Sequence, residues 1–212
     1  MNEPLRLLVA GILLAAPLSA QTRIQVGPFN SIEAPHGAHV VLRRAAIQRV
    51  NLVRGSLDYT RVTTDGGRLI IDRCFRKCPK DYRLELEILT PNVTGLFLAN
   101  GGSIQSLGGF PRQSDLAIAV SHGGTIDARS IVTDRVIATV NQGGRILTVP
   151  QATLSATINQ GGAITYWGDP QVKSAVEHGG VVIKGRAGEL DLPLSEVGVF
   201  TPSAAHETLK RR

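Results

Sequence analysis

Five pairs of adjacent glycines divide the second half of the chain at nearly even intervals. Successive pairs are separated by 22, 20, 18 and 18 residues. Self-similarity at a period of about 20 residues is the sequence signature of a stacked repeat architecture, in which each unit buries its apolar side against its neighbours. The pairs are Gly101 and Gly102, Gly123 and Gly124, Gly143 and Gly144, Gly161 and Gly162, and Gly179 and Gly180.

Aliphatic residues recur around each pair with the alternation of a strand. All ten residues that stand three places before the first glycine or three places after it are aliphatic, and nine of them are β-branched. Alternating apolar positions indicate strands with one face inward. We therefore predict that these side chains form two inward ladders, one of Leu98, Val120, Val140, Ile158 and Val176, the other of Ile104, Ile126, Ile146, Ile164 and Val182.

Each glycine pair predicts a tight turn between two strands, because glycine adopts positive φ without a steric penalty. Units of this kind stacked in parallel place equivalent residues about 4.8 Å apart. The sequence thus predicts an all-β, single-domain parallel β-helix, or solenoid, with coils of 18–22 residues. A sandwich of twisted hairpins is the alternative, since the glycine pairs could also close hairpins. Ladders that hold across five units favour the solenoid.

The region before the glycine pairs contains shorter alternating segments, which we expect to begin the same stack with less regular coils. No proline-rich or serine-rich linker separates the two regions, so we predict one domain over residues 21–200 and a tail over residues 201–212. After the last glycine pair the chain has enough apolar residues for one or two strands that close the stack, namely Leu190, Leu192, Val197, Val199 and Phe200. The segments before the pairs are Ile24–Val26, Phe29–Ala34, His39–Leu42, Val50–Val53, Arg68–Asp72 and Arg83–Leu89.

The first twenty residues have the pattern of a secretory signal peptide. The apolar run from Leu7 to Ala16 is too short to span a bilayer, and Ala20 is an acceptable small residue before a cleavage site. An apolar N-terminal strand or helix is the alternative. Gln21 stands where a lipid-anchored lipoprotein would have cysteine. We expect residues 1–20 to be removed and the mature chain to be periplasmic, secreted or at the cell surface, with no transmembrane segment.

Several segments are similar to a known family. The order of Phe29-Asn30-Ser31-Ile32, Gly67-Arg68-Leu69-Ile70-Ile71 and Leu86–Pro91, leading into the glycine-marked coils, resembles the bacterial putative auto-transporter adhesin head domain called the GIN domain. Its most specific piece is Gly162-Ala163-Ile164-Thr165-Tyr166-Trp167-Gly168-Asp169-Pro170. The resemblance covers roughly residues 28–185. It implies a right-handed β-helical solenoid exported to the envelope or surface, and it brings no established enzymatic residues.

Cys74 and Cys78 are the two cysteines of the chain. Export would place them in an oxidising compartment, where a disulfide is expected. Free thiols and a metal pair are the alternatives, and the spacing is not the two-residue spacing of a redox pair. Such a short loop gives little entropic stabilisation, so we predict that the bond fixes a local bend.

The histidines do not form a predicted metal site, and we expect no cofactor. His122 and His178 occupy the same repeat position three coils apart, roughly 14 Å at the strand spacing. One zinc ion cannot bind both, because each zinc–nitrogen bond is about 2 Å long. Hydrogen bonding at the corners of the coils is the expected role of both residues. His36 and His39 lie near Glu33 in the sequence, and the alternative to a metal site there is an ordinary loop that enters a strand.

Positive charge is concentrated before the glycine pairs. Residues 41–90 contain 11 basic and six acidic residues, a balance of +5. Such a region attracts anionic glycans or phospholipid headgroups, and Arg49, Arg54 and Arg61 are the candidate anion-binding residues. A set of solvated surface arginines is the alternative. We expect no nucleic-acid partner, because aromatic platforms are scarce there.

Two functions of different classes fit the sequence. The first is a non-enzymatic envelope or surface module that contacts a glycan or an envelope protein on flat strand faces. The second is a solenoid-type polysaccharide lyase or glycosidase. The candidate acids are too scattered among repeat positions to indicate a catalytic pair; they are Asp127, Asp134, Asp169 and Glu177. Nucleophile-elbow and phosphate-loop motifs are absent from the sequence. We therefore predict a protein that is not an enzyme.

Overall fold

A computed structural model of the chain describes residues 22–194, and these residues form an all-β structure without an α-helix. The first seven strands are β1 (Thr22–Ile24), β2 (Ser31–Ala34), β3 (His39–Arg44), β4 (Arg49–Arg54), β5 (Arg61–Asp65), β6 (Arg68–Asp72) and β7 (Glu85–Thr90). The next eight are β8 (Gly95–Ala99), β9 (Ser103–Leu107), β10 (Gln113–Ser121), β11 (Thr125–Asn141), β12 (Arg145–Gln160), β13 (Ala163–Tyr166), β14 (Gln171–His178) and β15 (Val181–Lys184). A 3-10 turn follows at Ala187–Glu189.

Parallel strands stack into two walls joined by the glycine turns. The front wall runs in the order β6, β2, β8, β10, the second half of β11, the second half of β12, and β14. The back wall runs in the order β7, β3, β9, the first part of β11, the first part of β12, β13, and β15. This architecture is the predicted parallel β-solenoid, and the hairpin sandwich is excluded for the coils.

The inward ladders have the predicted register. In the front wall Leu98 lies beside Val120, Val120 beside Val140, and the row continues through Ile158 to Val176. Eight of the ten predicted side chains are at most 3% exposed. Val182 is half-buried, and Val176 is 42% exposed. Val176 keeps the predicted ladder register but is not buried, because β14 has a parallel neighbour on one side only within residues 22–194.

The two glycines of each pair have different roles. Both have positive φ, but a Cβ atom at Gly143 would meet open space. A Cβ at Gly144 would lie 2.4 Å from Cγ1 of Val120 in the preceding coil. The second glycine is therefore required by close stacking and the first by its φ angle alone. In three coils the residue before the pair is also left-handed, with φ angles of 58°, 55° and 55° at Asn100, His122 and Gln142.

The N-terminal third is less uniform than the predicted extra coils. β2 and β3 do stack in parallel on the glycine-marked coils, but β4 pairs antiparallel with β7 and β1 pairs antiparallel with β4. β5, which sequence analysis did not predict, forms an antiparallel hairpin with β6. Asp65-Gly66-Gly67 contains the turn of that hairpin, so the hairpin interpretation of a glycine pair holds at this one place.

The chain after β15 does not form the predicted closing strand at Leu190 and Leu192. Residues 190–194 pack with the 3-10 turn against the outside of the back wall, where Leu190, Leu192 and Leu194 contact a small cluster of Leu147, Val149 and Trp167. Residues 186–194 are called the C-terminal strap below. The predicted signal peptide, the predicted tail and the remaining closing residues, Val197, Val199 and Phe200, lie outside the described residues.

Candidate functional site

The outward side chains of the front wall form a flat strand surface. Within each strand, inward aliphatic residues alternate with small outward residues, as the period of two requires. Thr139 lies between Ala119 and Thr157 in neighbouring coils, and backbone ladders on both sides fix these positions. The surface, called the outer face below, consists of Ala117, Ala119, Ile137, Thr139, Ser155, Thr157, Lys173 and Ala175.

A shallow groove of about 510 Å³ crosses the outer face. Ile137, which is 61% exposed, lines the groove, and most of the exposed surface of the groove is apolar. Arg135 borders the groove and donates two hydrogen bonds of 2.7 Å to the carboxylate of Asp115. The hydrogen bond and charge of Asp115 raise the pKa of Arg135 above its ordinary value, so the guanidinium stays charged. The groove therefore combines exposed apolar surface with an ion pair at its border.

Amide and imidazole groups follow the corners of the coils. Asn159 Nδ2 donates a hydrogen bond to Asn141 Oδ1 of the preceding coil. His122 Nδ1 is 2.8 Å from Ser121 Oγ, and His178 Nδ1 is 3.3 Å from the carbonyl oxygen of Asn159. The two histidines thus have separate hydrogen-bond partners. Throughout residues 22–194 no group of three or more potential ligands is placed to hold a metal ion.

Three of the four acids considered for catalysis lie in ion pairs. Asp127 is buried, and its carboxylate accepts hydrogen bonds of 2.9 and 2.7 Å from Nε and Nη2 of Arg129. Asp134 pairs with Arg112, and Asp169 pairs with Lys184 at exposed sites. Glu177 is exposed on β14. The structure does not bring these four acids together at one site.

Arg129 was not singled out in the sequence, because its partners come from distant parts of the chain. Its guanidinium donates 2.9 Å hydrogen bonds to the carbonyl oxygens of Glu189 and Leu190, and it lies 5.7 Å from the ring centroid of Trp167. Burial and the charge of Arg129 lower the pKa of nearby Arg145. This cluster attaches the C-terminal strap to the back wall and has a structural role.

The three candidate anion-binding arginines are divided between the two walls. Arg49 and Arg54 lie at opposite ends of β4, which extends the back wall, whereas Arg61 lies on β5 beside the front wall. Arg54 is 3.6 Å from Glu85, and Arg61 is 3.2 Å from Asp72. Arg49 has no ion pair within residues 22–194. Carboxylates thus balance two of these arginines.

Cys74 and Cys78 are joined by a disulfide, with Cα atoms 5.8 Å apart. The bond closes a loop between β6 and β7. A polar pocket of about 570 Å³ lies between residues 73–84, which contain this loop, and the first glycine turn. Sequence reasoning had no signal for the pocket, because its walls come from three segments that are far apart in the chain. Its cationic residues are Arg73, Lys80 and Arg83.

Residues 112–170 match the family described as "Putative auto-transporter adhesin, head GIN domain". The predicted family resemblance is confirmed over these residues, which are part of the predicted range of about 28–185. The matched segment contains β10, β11, β12 and β13, with the glycine pairs at 123, 143 and 161, so the matched residues include most of the outer face. It also includes the Gly162–Pro170 motif on which the resemblance was based. No curated protein matches the chain.

Three solved structures that are similar to the chain at low identity come from different bacteria. A "putative adhesin" from Bacteroides fragilis is 16% identical, with 77% of this chain and 95% of that chain covered and a TM-score of 0.48. A "putative cell adhesion protein" from Clostridium sporogenes is 8% identical, with coverages of 78% and 98% and a TM-score of 0.37. A "Putative lipid binding protein" from Parabacteroides distasonis is 14% identical, with coverages of 78% and 96% and a TM-score of 0.31. Likeness at this level carries no functional information.

Proposed function

We propose that this protein is an exported, non-enzymatic module of the bacterial envelope or cell surface that binds a glycan or another envelope component on its strand faces. In this proposal residues 1–20 direct export, residues 21–200 form the binding module and residues 201–212 are a tail. The observation that carries the proposal is the outer face, a surface of mostly small residues in register across several coils. Within residues 22–194 no helix is long and apolar enough to cross a membrane.

The outer face suits a binding surface because its geometry is fixed before a ligand arrives. Thr139 and Thr157 lie on neighbouring strands, so their hydroxyl groups repeat at about the 4.8 Å strand spacing. A ligand that binds such a surface does not have to order flexible loops, and this lowers the entropic cost of binding. A polymer with repeated hydroxyl groups is the kind of ligand that matches repeated hydroxyl donors and acceptors.

The positions of the acids support a binding module over a solenoid carbohydrate-active enzyme. A glycosidase needs two carboxyl groups that flank one glycosidic bond. Asp127 is buried against Arg129, while Asp134 and Asp169 lie in separate ion pairs. These contacts give the three carboxylates structural partners instead of a shared substrate position.

The test is fractionation of the native cell combined with a glycan-array screen of mature residues 21–212. We expect the protein in the envelope or extracellular fraction, and array binding that falls about tenfold in Ile137→Lys and Thr139→Lys, since both changes put a charged chain on the outer face. Thr63→Lys, at an exposed threonine of β5, is the matched control and should bind normally. A cytoplasmic protein, or array binding unchanged in the outer-face variants, would contradict the proposal. Release of shortened glycan products would favour the enzyme.

A further inference from the structure

We infer that the polar pocket between residues 73–84 and the first glycine turn binds the anionic group of an acidic sugar, either a carboxylate or a phosphate. The inference rests on the proposed function in one respect, that the ligand is a glycan, but it concerns a different surface from the outer face. The pocket volume of about 570 Å³ lies within the range of small-ligand sites. Gly37, Asn100 and Gly102 line the pocket together with the cations.

The charge of the pocket favours an anion. The charged lining residues are three cations, Arg73, Lys80 and Arg83, and one anion, Asp81. The net charge of the lining is therefore +2 when His39 is not counted. Most arginines elsewhere in the described chain have a carboxylate partner, but Lys80 and Arg83 have no ion pair within residues 22–194. Unbalanced cations in one concave site raise the local concentration of anions more than cations scattered on a convex surface.

The wall that carries the cations is held in place before a ligand binds. The Tyr82 side chain is buried, and its hydroxyl lies 2.6 Å from Thr60 Oγ1. The Tyr82 hydroxyl also accepts a 2.9 Å hydrogen bond from the N–H of Ser56. Arg73 lies over the Tyr82 ring, 5.9 Å from its centroid, and donates a hydrogen bond to the Tyr82 carbonyl oxygen. The disulfide between Cys74 and Cys78 fixes the bend beside these contacts. Such prior order lowers the cost of binding.

The remaining lining indicates a sugar rather than a membrane surface. His39 Nδ1 lies 3.0 Å from Ser103 Oγ, and Asn100 Nδ2 donates a hydrogen bond to the carbonyl oxygen of Pro35, so two polar side chains with hydrogen-bond partners line the pocket beside the cations. Guanidinium and ammonium groups form strong charge-assisted hydrogen bonds with carboxylates and phosphates. A recessed site admits a single anionic group of a soluble chain, whereas a layer of headgroups would contact exposed convex charge.

The test is calorimetric titration of mature residues 21–212 with tetragalacturonic acid, with a phosphorylated glucose as the second anionic probe and neutral maltotetraose as the control. We expect binding of at least one anionic sugar, no binding of maltotetraose, and weaker binding as salt rises from about 0.05 M to about 0.3 M. Comparing the two anionic probes shows whether carboxylate or phosphate is preferred. Phosphatidylglycerol vesicles serve as the membrane probe.

Charge-reversal variants separate the pocket from a diffuse basic surface. Lys80→Glu combined with Arg83→Glu should weaken binding about tenfold or more, and both residues are exposed, so the thermal midpoint should stay unchanged. Arg49→Glu, an unpaired arginine outside the pocket, should change affinity less than about twofold. Equal loss in Arg49→Glu, binding of maltotetraose, or binding to vesicles without binding to either sugar would overturn the inference. Because the outer-face variants leave this pocket intact, failure of either proposal can be recognised separately.

Discussion

The N-terminal third, residues 22–94, and the glycine-marked coils, residues 95–185, close the same stack in different ways. In the coils, parallel strands repeat one pattern, and inward rows such as Leu98, Val120 and Val140 are buried between neighbours on both sides. In the N-terminal third, antiparallel β1, β4 and β5 cover the first coil, ion pairs link neighbouring strands, and a disulfide closes the loop between β6 and β7. The coils therefore depend on repetition, and the N-terminal third depends on individual contacts.

The difference teaches how a solenoid ends. An unpaired strand edge is a template for association with other chains, so natural sheets cover or charge their edges. β4 and β5 put Arg49, Arg54 and Arg61 at the N-terminal end of the stack, which explains why positive charge is concentrated in this part of the sequence. At the other end, β14 is exposed throughout its length within residues 22–194.

The largest predicted effect compares one substitution at three places in the stack. Val140→Asp should destabilise the protein by about 4 kcal/mol or more, because it buries an unpaired carboxylate in the middle of the front wall. Val50→Asp, at the N-terminal end of the stack, should destabilise the protein by a similar amount, because Val50 on antiparallel β4 is 0% exposed. Val176→Asp should cost less than about 1 kcal/mol, because Val176 is 42% exposed. Chemical denaturation measures all three.

This series would break the comparison if its order were reversed. A mild effect at Val140 would show that the inward ladders do not carry the stability of the coils. A severe effect at Val176, equal to that at Val140, would show that β14 is covered in solution. Thr139→Asp, an outward neighbour of Val140 on the same strand, is the control for introducing a carboxylate without deep burial.

The second prediction separates the two glycines of one turn. Gly143→Ala should cost roughly 1–2 kcal/mol, because only the positive φ of 80° opposes the methyl group. Gly144→Ala should cost about 3 kcal/mol, because its Cβ must also displace Val120 and the backbone of the preceding coil. Thermal or chemical unfolding of the two variants gives the difference directly. Equal losses would mean that φ alone requires glycine at both positions.

The repetition of the coils also explains which parts of the fold the sequence could predict. Rows such as Val120, Val140 and Ile158 need only a constant spacing, so alignment of the glycine pairs predicted their register correctly. β5 was missed because Arg61–Asp65 has one half-buried apolar residue, Val62, and no inward ladder. Its antiparallel pairing depends on a hairpin partner, not on a period.

The sites were less predictable than the fold, because contacts between distant segments create them. The burial of Asp127 depends on its partner Arg129 and on the C-terminal strap. Arg129 donates hydrogen bonds to two carbonyl oxygens of the strap, which are 60 and 61 residues further along the chain. The cationic pocket likewise needs residues 73–84 to lie against the turn that contains Asn100. Composition located the positive charge in the right third of the chain, but only the fold distinguishes paired Arg54 and Arg61 from unpaired Lys80 and Arg83.

The smallest predicted effect concerns the disulfide of the N-terminal third. Purified protein should have no reactive thiol after denaturation, and reduction should lower the free energy of unfolding by about 2 kcal/mol at most, because closing a loop with a separation of four residues removes little entropy from the unfolded chain. A maleimide assay and unfolding with and without reductant measure the two quantities. The double variant Cys74→Ser, Cys78→Ser is the control and should behave like the reduced protein.

Two reactive thiols per chain in the oxidised preparation would contradict the disulfide. A larger loss of stability on reduction would show that the N-terminal third depends on this one bond more than on the contacts around Tyr82. With the expected small loss, the coils should keep their unfolding midpoint, since the inward rows from Leu98 to Ile158 do not involve the disulfide loop. Hydrogen exchange should then increase in residues 73–84 and stay unchanged in β10 and β11, because local opening follows local contacts. Exchange that increased equally in both regions would mean that the two regions unfold as one unit.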